Sequence, residues 1–257
     1  MVKNSIIQLT NFILSAILCF FAVIMISPLF IIFFLSIDNG YQHYFNLFSL
    51  NSSYLQGLIN SIIISFVSSS VSVCVSFFAA FFLAKNKHKW VNILFFIYIL
   101  VFLMPFQVTM LPQYIVSKTL KIYDSLLAMI CPGIFAPFTT ILLTQIIKTI
   151  PDDAIEAARL ETSSRFVILS KIVAPYVKPG LICAWILNFT EQWNAVSEPL
   201  VLLEQRNNLP LSVLLSFAPP LDPDALAATV IFAIIPLLFF LRFGKYVLSG
   251  LEGYKLK

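Results

Sequence analysis

Charge is what this sequence has least of: 16 Lys/Arg and 12 Asp/Glu in 257 residues, or 11%, against about a quarter in soluble domains. Apolar residues make up 60% of the chain and include 26 phenylalanines. So few charged groups cannot cover a water-soluble globule of this size, which excludes a cytosolic enzyme. The same hydrophobicity excludes a disordered chain. Only 7 glycines are present, too few for collagen-like or glycine-rich repeats. Cysteine is sparse as well. Cys19, Cys74, Cys131 and Cys183 each lie in an apolar run without short pair spacing, so they are expected as small buried hydrophobes, not as a disulfide frame or metal site. No Gly-x-x-x-x-Gly-Lys-Ser/Thr loop is present to cradle a phosphate, and there is no Ser-His-Asp constellation. His43 and His88 sit in separate polar loops and cannot share a metal. Neither catalysis by this chain nor a nucleic-acid partner is expected. A charge-free stretch from Lys3 to Ile37 is too long for the core of a cleavable signal peptide.

What is present is a series of long apolar runs punctuated by charge. Residues 12–37, 58–84, 91–111, 126–147, 180–203 and 225–241 are each near the ~20 residues needed to cross a bilayer as a helix. The runs are continuously apolar, without the alternation of a barrel strand. The sequence therefore predicts an all-α integral membrane protein of six transmembrane helices, forming one permeation domain over residues 1–257. Lys and Arg set the orientation. With the N-terminus inside, thirteen cations fall on the cytoplasmic side and three (Lys118, Lys121 and Arg206) on the other. Both termini are then cytoplasmic.

One cytoplasmic connection, residues 148–179, is the largest polar segment. Asp153 and Glu156 have capping-box spacing behind Pro151, which predicts a short helix. Ile155, Ala158 and the more distant Leu160 would give it a narrow apolar stripe beside Glu156, Arg159 and Glu161. Such a helix is a place for a partner to dock.

Glu156-Ala157-Ala158-Arg159-Leu160-Glu161, followed by Ile172-Val173-Ala174-Pro175 and Lys178-Pro179, resembles the EAA signature of ABC importer permeases, above all the carbohydrate permeases of the maltose-transporter kind. The resemblance extends colinearly over nearly the whole chain. It takes in Asn60-Ser61, Ala79-Ala80 with Lys85, Pro105-x-Gln107-x-Thr109 with Pro112, Trp193-Asn194 with Pro199-Leu200, Leu209-Pro210, Pro236 and Gly250-Leu251. It implies that the helix around Glu156 couples to a separate ATPase, with Glu156, Ala157, Ala158, Arg159, Glu161, Thr162 and Pro175 as the coupling residues. It also implies a second permease chain, two ATP-binding subunits carrying ATP and Mg, and an extracytoplasmic solute-binding protein, all at the cytoplasmic membrane. This chain itself would hold no cofactor. Two residues depart from the family pattern. Thr162 replaces the motif glycine and Ala174 the leucine before the proline. Threonine disfavours positive φ, so the turn must be made differently, and a hydroxyl of Thr162 or Ser163 is available to cap the next helix.

Inside the fifth apolar run, Asn188, Glu191, Gln192, Trp193 and Asn194 form the densest polar cluster. Charge at membrane depth usually faces a pathway or a partner. Two readings stand: the cluster lines a route for hydroxyl-rich solutes, or it holds the helix against a neighbour through interhelical hydrogen bonds. Glu156 likewise either docks a partner or caps its own helix. The serines of the second run, from Ser61 to Ser70, point to close helix packing. Two further alternatives are a permease for glycerol phosphate, a polyol or a polyamine, and an ion-coupled secondary transporter, which commonly shows inverted repeats.

Overall fold

The computed structural model describes residues 2–38, 40–49 and 52–252, with side chains over 12–38, 40–49 and 52–247. Lys255 and Lys257 lie outside the described residues, as do the side chains of Lys3 and of Gly250-Leu251. Among the described residues every regular element is helical. In chain order these are α1 (Val2–Asp38), α2 (Gln42–Leu47), α3 (Ser53–Lys85), α4 (Lys89–Phe102), α5 (Phe106–Thr119), α6 (Leu126–Ile134), α7 (Pro137–Lys148) and α8 (Asp152–Glu161). After them come α9 (Arg165–Ile168), continued by a π turn (Leu169–Val173) into α10 (Ala174–Tyr176), then α11 (Lys178–Trp193), α12 (Ser197–Leu202), α13 (Leu211–Ser216) and α14 (Pro223–Glu252).

Four segments are long and apolar enough to span a bilayer: Phe12–Asp38, Ser53–Lys85, Leu126–Lys148 and Pro223–Val247. Two bent pairs bring the count to six if each crosses as one span: α4 with α5, at 97°, and Arg165–Tyr176 with α11, at 80°. Proline explains most of the departures from the expected spans. The third span, expected over 91–111 with a broken, kinked end near Pro105 and Pro112, breaks at Leu103, because Pro105 lacks an amide hydrogen and becomes the extended N-cap of α5. The fourth, expected over 126–147, is interrupted at Phe135 and Ala136, and Ala136 is held in the β region ahead of Pro137. The fifth, expected over 180–203, starts at Lys178 and stops at Trp193, so Glu191 and Glu198 lie on different helices, α11 and α12.

α3 is the hub, packing against α6, α7, α11 and α13. Its serines explain how. Ser61, Ser65, Ser68, Ser69, Ser72 and Ser76 are all buried, and their spacing puts them on one helical face. Small side chains there let neighbouring backbones approach closely. At Gly133 on α6 an added Cβ would lie 2.9 Å from Ser68 Oγ. Hydroxyls also link the helices, since Thr140 of α7 donates to Ser76 Oγ at 3.0 Å and Trp185 Nε1 of α11 donates to Ser70 Oγ at 3.1 Å. Along the other face of α11, Trp185, Phe189 and Trp193 recur every four residues and stack in sequence, and Trp193 stacks in turn on Phe232 of α14. α1 packs mainly on α14 and buries none of its most apolar window. Only Cys183 meets the expectation of burial. Cys131 is half-buried, while Cys19 and Cys74 are exposed on the outside of the bundle.

Candidate coupling surface and polar cluster

α8 starts at Asp152, one residue before the expected box, with Pro151 at the N-cap and no side-chain cap bond. The Asp153–Glu156 box does not form. Asp152 instead binds two lysines from the far end of α3 and the turn after it. Lys85 Nζ donates to Asp152 Oδ1 at 2.9 Å and to the Ile150 carbonyl at 2.6 Å, and Lys87 Nζ lies 3.0 Å from Asp152 Oδ2. The Lys85 side chain is only 8% exposed. Hydrogen bonds from Lys85 and then Lys87 hold the Asp152 carboxyl down to about 2, and its hydrogen bond raises the ammonium of Lys87. The start of α8 is thereby tied to the end of a membrane-crossing helix.

The inward face of α8 is apolar. Ile155 and Ala158 are buried in one cluster with Ala80, Leu143, Ile147, Ile168 and Val173. Leu160 does not continue that stripe, because it points the other way and is 91% exposed. Glu156, Ala157, Arg159 and Glu161 are exposed with it. Among the described residues Glu156 makes no hydrogen bond or ion pair, so it does not cap its own helix in this fold. The turn after α8 needs no positive φ. Thr162 is extended (φ −147°, ψ 136°), and its N–H donates to Ala158 O. Its hydroxyl accepts from Ser164 N at 3.3 Å, which tightens the loop without capping α9, where no side-chain cap forms. Pro175 follows the π turn within α10 and is exposed. Neither Pro175 nor Pro179 has an amide hydrogen to donate, and the chain bends between them at Val177.

The polar cluster on α11 divides. Asn188 is buried and clamps three helices, its Nδ2 donating to Ser72 Oγ at 3.0 Å and Thr139 Oγ1 at 3.2 Å. Trp193 is fully buried, and its Nε1 donates to the Phe232 carbonyl at 3.2 Å. Gln192 turns inward, its Oε1 buried without a partner among the described residues and close to Gly133. Glu191 and Asn194 are exposed, and Asn194 donates to the Thr190 carbonyl at 2.8 Å. The five residues therefore share a helix end without converging on one cavity.

Two ties were not singled out from the sequence. One is Asp152 with Lys87, whose only signal was a Lys-x-Lys pair and an aspartate at the ends of neighbouring polar connections. The other lies at the opposite end of the bundle. Asp124, in left-handed conformation (φ 56°), accepts from the N–H groups of Glu204 and Gln205 and from Asn208 Nδ2. Partial desolvation works against its charge, but those hydrogen bonds outweigh it and leave its carboxyl lower than usual. Asn60 donates to the carbonyls of Asn207 and Leu209, and Ser61 accepts from Leu211 N. At the same end His43 Nδ1 meets Asp224 at 2.7 Å, so this histidine is paired.

Comparison with known proteins agrees with this architecture. The chain is 29% identical over 218 residues to the arabinooligosaccharides transport system permease protein AraQ of Bacillus subtilis (strain 168), covering 82% of this chain and 77% of that one. It is 30% identical over 166 residues to the glucose import system permease protein GlcU of Saccharolobus solfataricus, covering 62% and 58%. A chain from the crystal structure of a bacterial ABC transporter that imports the acidic polysaccharide alginate superimposes with a TM-score of 0.77 over 93% of this chain and 96% of that one, at 19% identity. Residues 72–250 match the model of the binding-protein-dependent transport system inner membrane component. The chain is thus a membrane-embedded permease of the ABC importer type and belongs to the family of binding-protein-dependent transport system inner membrane components.

Proposed function

We propose that this chain forms half of the translocation pathway of an ATP-driven importer for a sugar or sugar-like solute, with the end bearing Lys85, Lys148 and α8 in the cytoplasm. On this reading both termini are cytoplasmic. A related second permease completes the pathway, two separate subunits bind ATP and Mg, and an extracytoplasmic binding protein delivers the solute. The sugar class is supported by the names of AraQ and GlcU.

The observation that carries the coupling role is the two-sided character of α8. Its own bundle grips one face through Ile155, Ala158 and the Lys85–Asp152 tie, while Glu156, Ala157, Arg159, Leu160 and Glu161 stay open. A helix held only by a partner could slip, and a helix buried on all sides could not be engaged. Held on one face, it can pass a push into α3, α7 and α11. Moving a two-state equilibrium from 1:99 to 99:1 takes about 5.5 kcal/mol of differential binding, so the grip must be firm. Glu156 pairs with a cation of the ATPase, while the small exposed side chain of Ala157 allows close approach. In the pathway, Glu191 and Asn194 face the second permease or the solute, and Asn188 and Trp193 keep their helix end in place.

Glu156→Lys in the complete importer tests the proposal. Uptake of a radiolabelled oligosaccharide is expected to be lost, and the ATPase subunit to co-purify poorly. Full uptake with normal subunit recovery would overturn the coupling role.

A further inference from the structure

The four cations nearest the α3–α8 junction do not all serve the Asp152 tie. Lys85, Lys87, Arg159 and Arg165 line a single open cavity of about 400 Å³ that also reaches Phe81 and Phe82. Among the described residues Asp152 is the one acid bonded to any of them, and Arg159 and Arg165 have no hydrogen-bonding or ion-pair partner. Glu156 also lies within electrostatic reach of Lys87. The apolar run of α3 continues to Ala84 without a break, so Lys85 marks the edge of the hydrocarbon layer. Phe82 stays half-exposed there, and Trp90, just beyond on α4, is 72% exposed, the position of an interfacial aromatic anchor.

We propose that this cavity is a site for the headgroup of an anionic phospholipid of the surrounding leaflet. The phosphate sits between Arg165 and Lys87, and the acyl chains run down the outer face of α3 past Phe82. The ligand must be an amphiphile because the walls are of two kinds: cations toward water, phenylalanine rings toward the membrane. Basic pockets at this depth are suited to anionic headgroups, and arginine binds phosphate oxygens through two parallel donors. Because the site joins α3 to the start of α9 across the base of α8, a bound lipid would brace the connection on which α8 is mounted. The proposal requires only that this end of the bundle lie at a membrane surface, so it stands or falls separately from the coupling role of Glu156.

The test is native mass spectrometry of the complete importer in nanodiscs of mixed phosphatidylglycerol and phosphatidylcholine. The wild type is expected to retain phosphatidylglycerol selectively. Lys87→Gln with Arg165→Gln should lower that retention by at least about tenfold, Arg165→Lys should keep most of it, and Lys171→Gln, a cation outside the cavity, should leave it unchanged. If the double variant does not fold, Arg165→Gln alone against Arg165→Lys gives the same contrast. Equal retention by Arg165→Gln and wild type overturns the proposal. So does displacement of the lipid by millimolar inorganic phosphate, which would make the site one for soluble anions. Retention seen only after the ATPase subunits are stripped away overturns it too, because the cavity would then belong to a protein partner.

Discussion

The two ends of the bundle are each held by an aspartate, by opposite means. Asp152 at the basic end pairs with two lysines across a gap between helices, so its contribution is mainly charge. Asp124 at the other end receives neutral donors from one short loop, so its contribution is mainly shape. An ion pair can stretch and re-form as a helix moves, whereas several short hydrogen bonds into one carboxylate fix a loop. The end with the mobile kind of tie carries the EAA-like helix. The end with the rigid kind carries short loops suited to present one constant surface.

The largest effect is expected from breaking the first tie. Lys85→Met leaves the Ile150 carbonyl and Asp152 without their shared donor at a nearly buried position. Hydrogen exchange over residues 150–164 should quicken by at least about tenfold, while exchange over 203–211 stays as it was. If both segments loosen together, the ends are not independent. At the other end, Asp124→Ala removes acceptors from two backbone amides and should destabilise the protein by about 1–3 kcal/mol in detergent unfolding. Asp124→Asn should cost less, because asparagine tolerates the left-handed backbone. Between the ends, Asn188→Leu gives up two interhelical hydrogen bonds worth about 0.6 kcal/mol each in membranes. A double-mutant cycle with Ser72→Ala should recover one of those increments. A coupling near zero would mean that Asn188 is not a strut.

The smallest effect sharpens the charge argument. The Asp152 carboxyl is depressed to about 2 from its ordinary 3.8. The stabilisation from this tie is then complete above about pH 4 and disappears as pH falls through about 2. Exchange at the base of α8, taken relative to the intrinsic amide rate at each pH, should therefore be flat from pH 5 to 8. Asp152→Asn should raise it across that whole range, and a slope there in the wild type would point to a different titrating group.

Much of this was readable from residue order. The apolar runs, the basic bias and the EAA-like hexapeptide located a membrane bundle and its exposed short helix. Helix breaks were less legible, although Pro105 and Pro137 announce two of them, because a hydropathy run does not register a missing amide hydrogen. Leu160 was misassigned to the apolar stripe, being five residues beyond Ile155 and so on another face of a 3.6-residue helix. Asn188 and Trp193 looked like neighbours of Glu191 in one site. In the folded chain they are turned inward to α3, α7 and α14, while Glu191 faces out.

Sequence alone determined that the chain must live in a bilayer, as helices, with a polar connection between its fourth and fifth apolar runs, because hydrophobic length, charge bias and a local motif are properties of consecutive residues. Only the tertiary structure decided which polar side chains are spent on the protein's own interior and which remain for partners. Lys85 and Asp152 are 67 positions apart in the chain, and Asn188 and Ser72 are 116 apart. Whether such groups meet depends on how the helices cross, and that geometry is set by the small-residue face of α3.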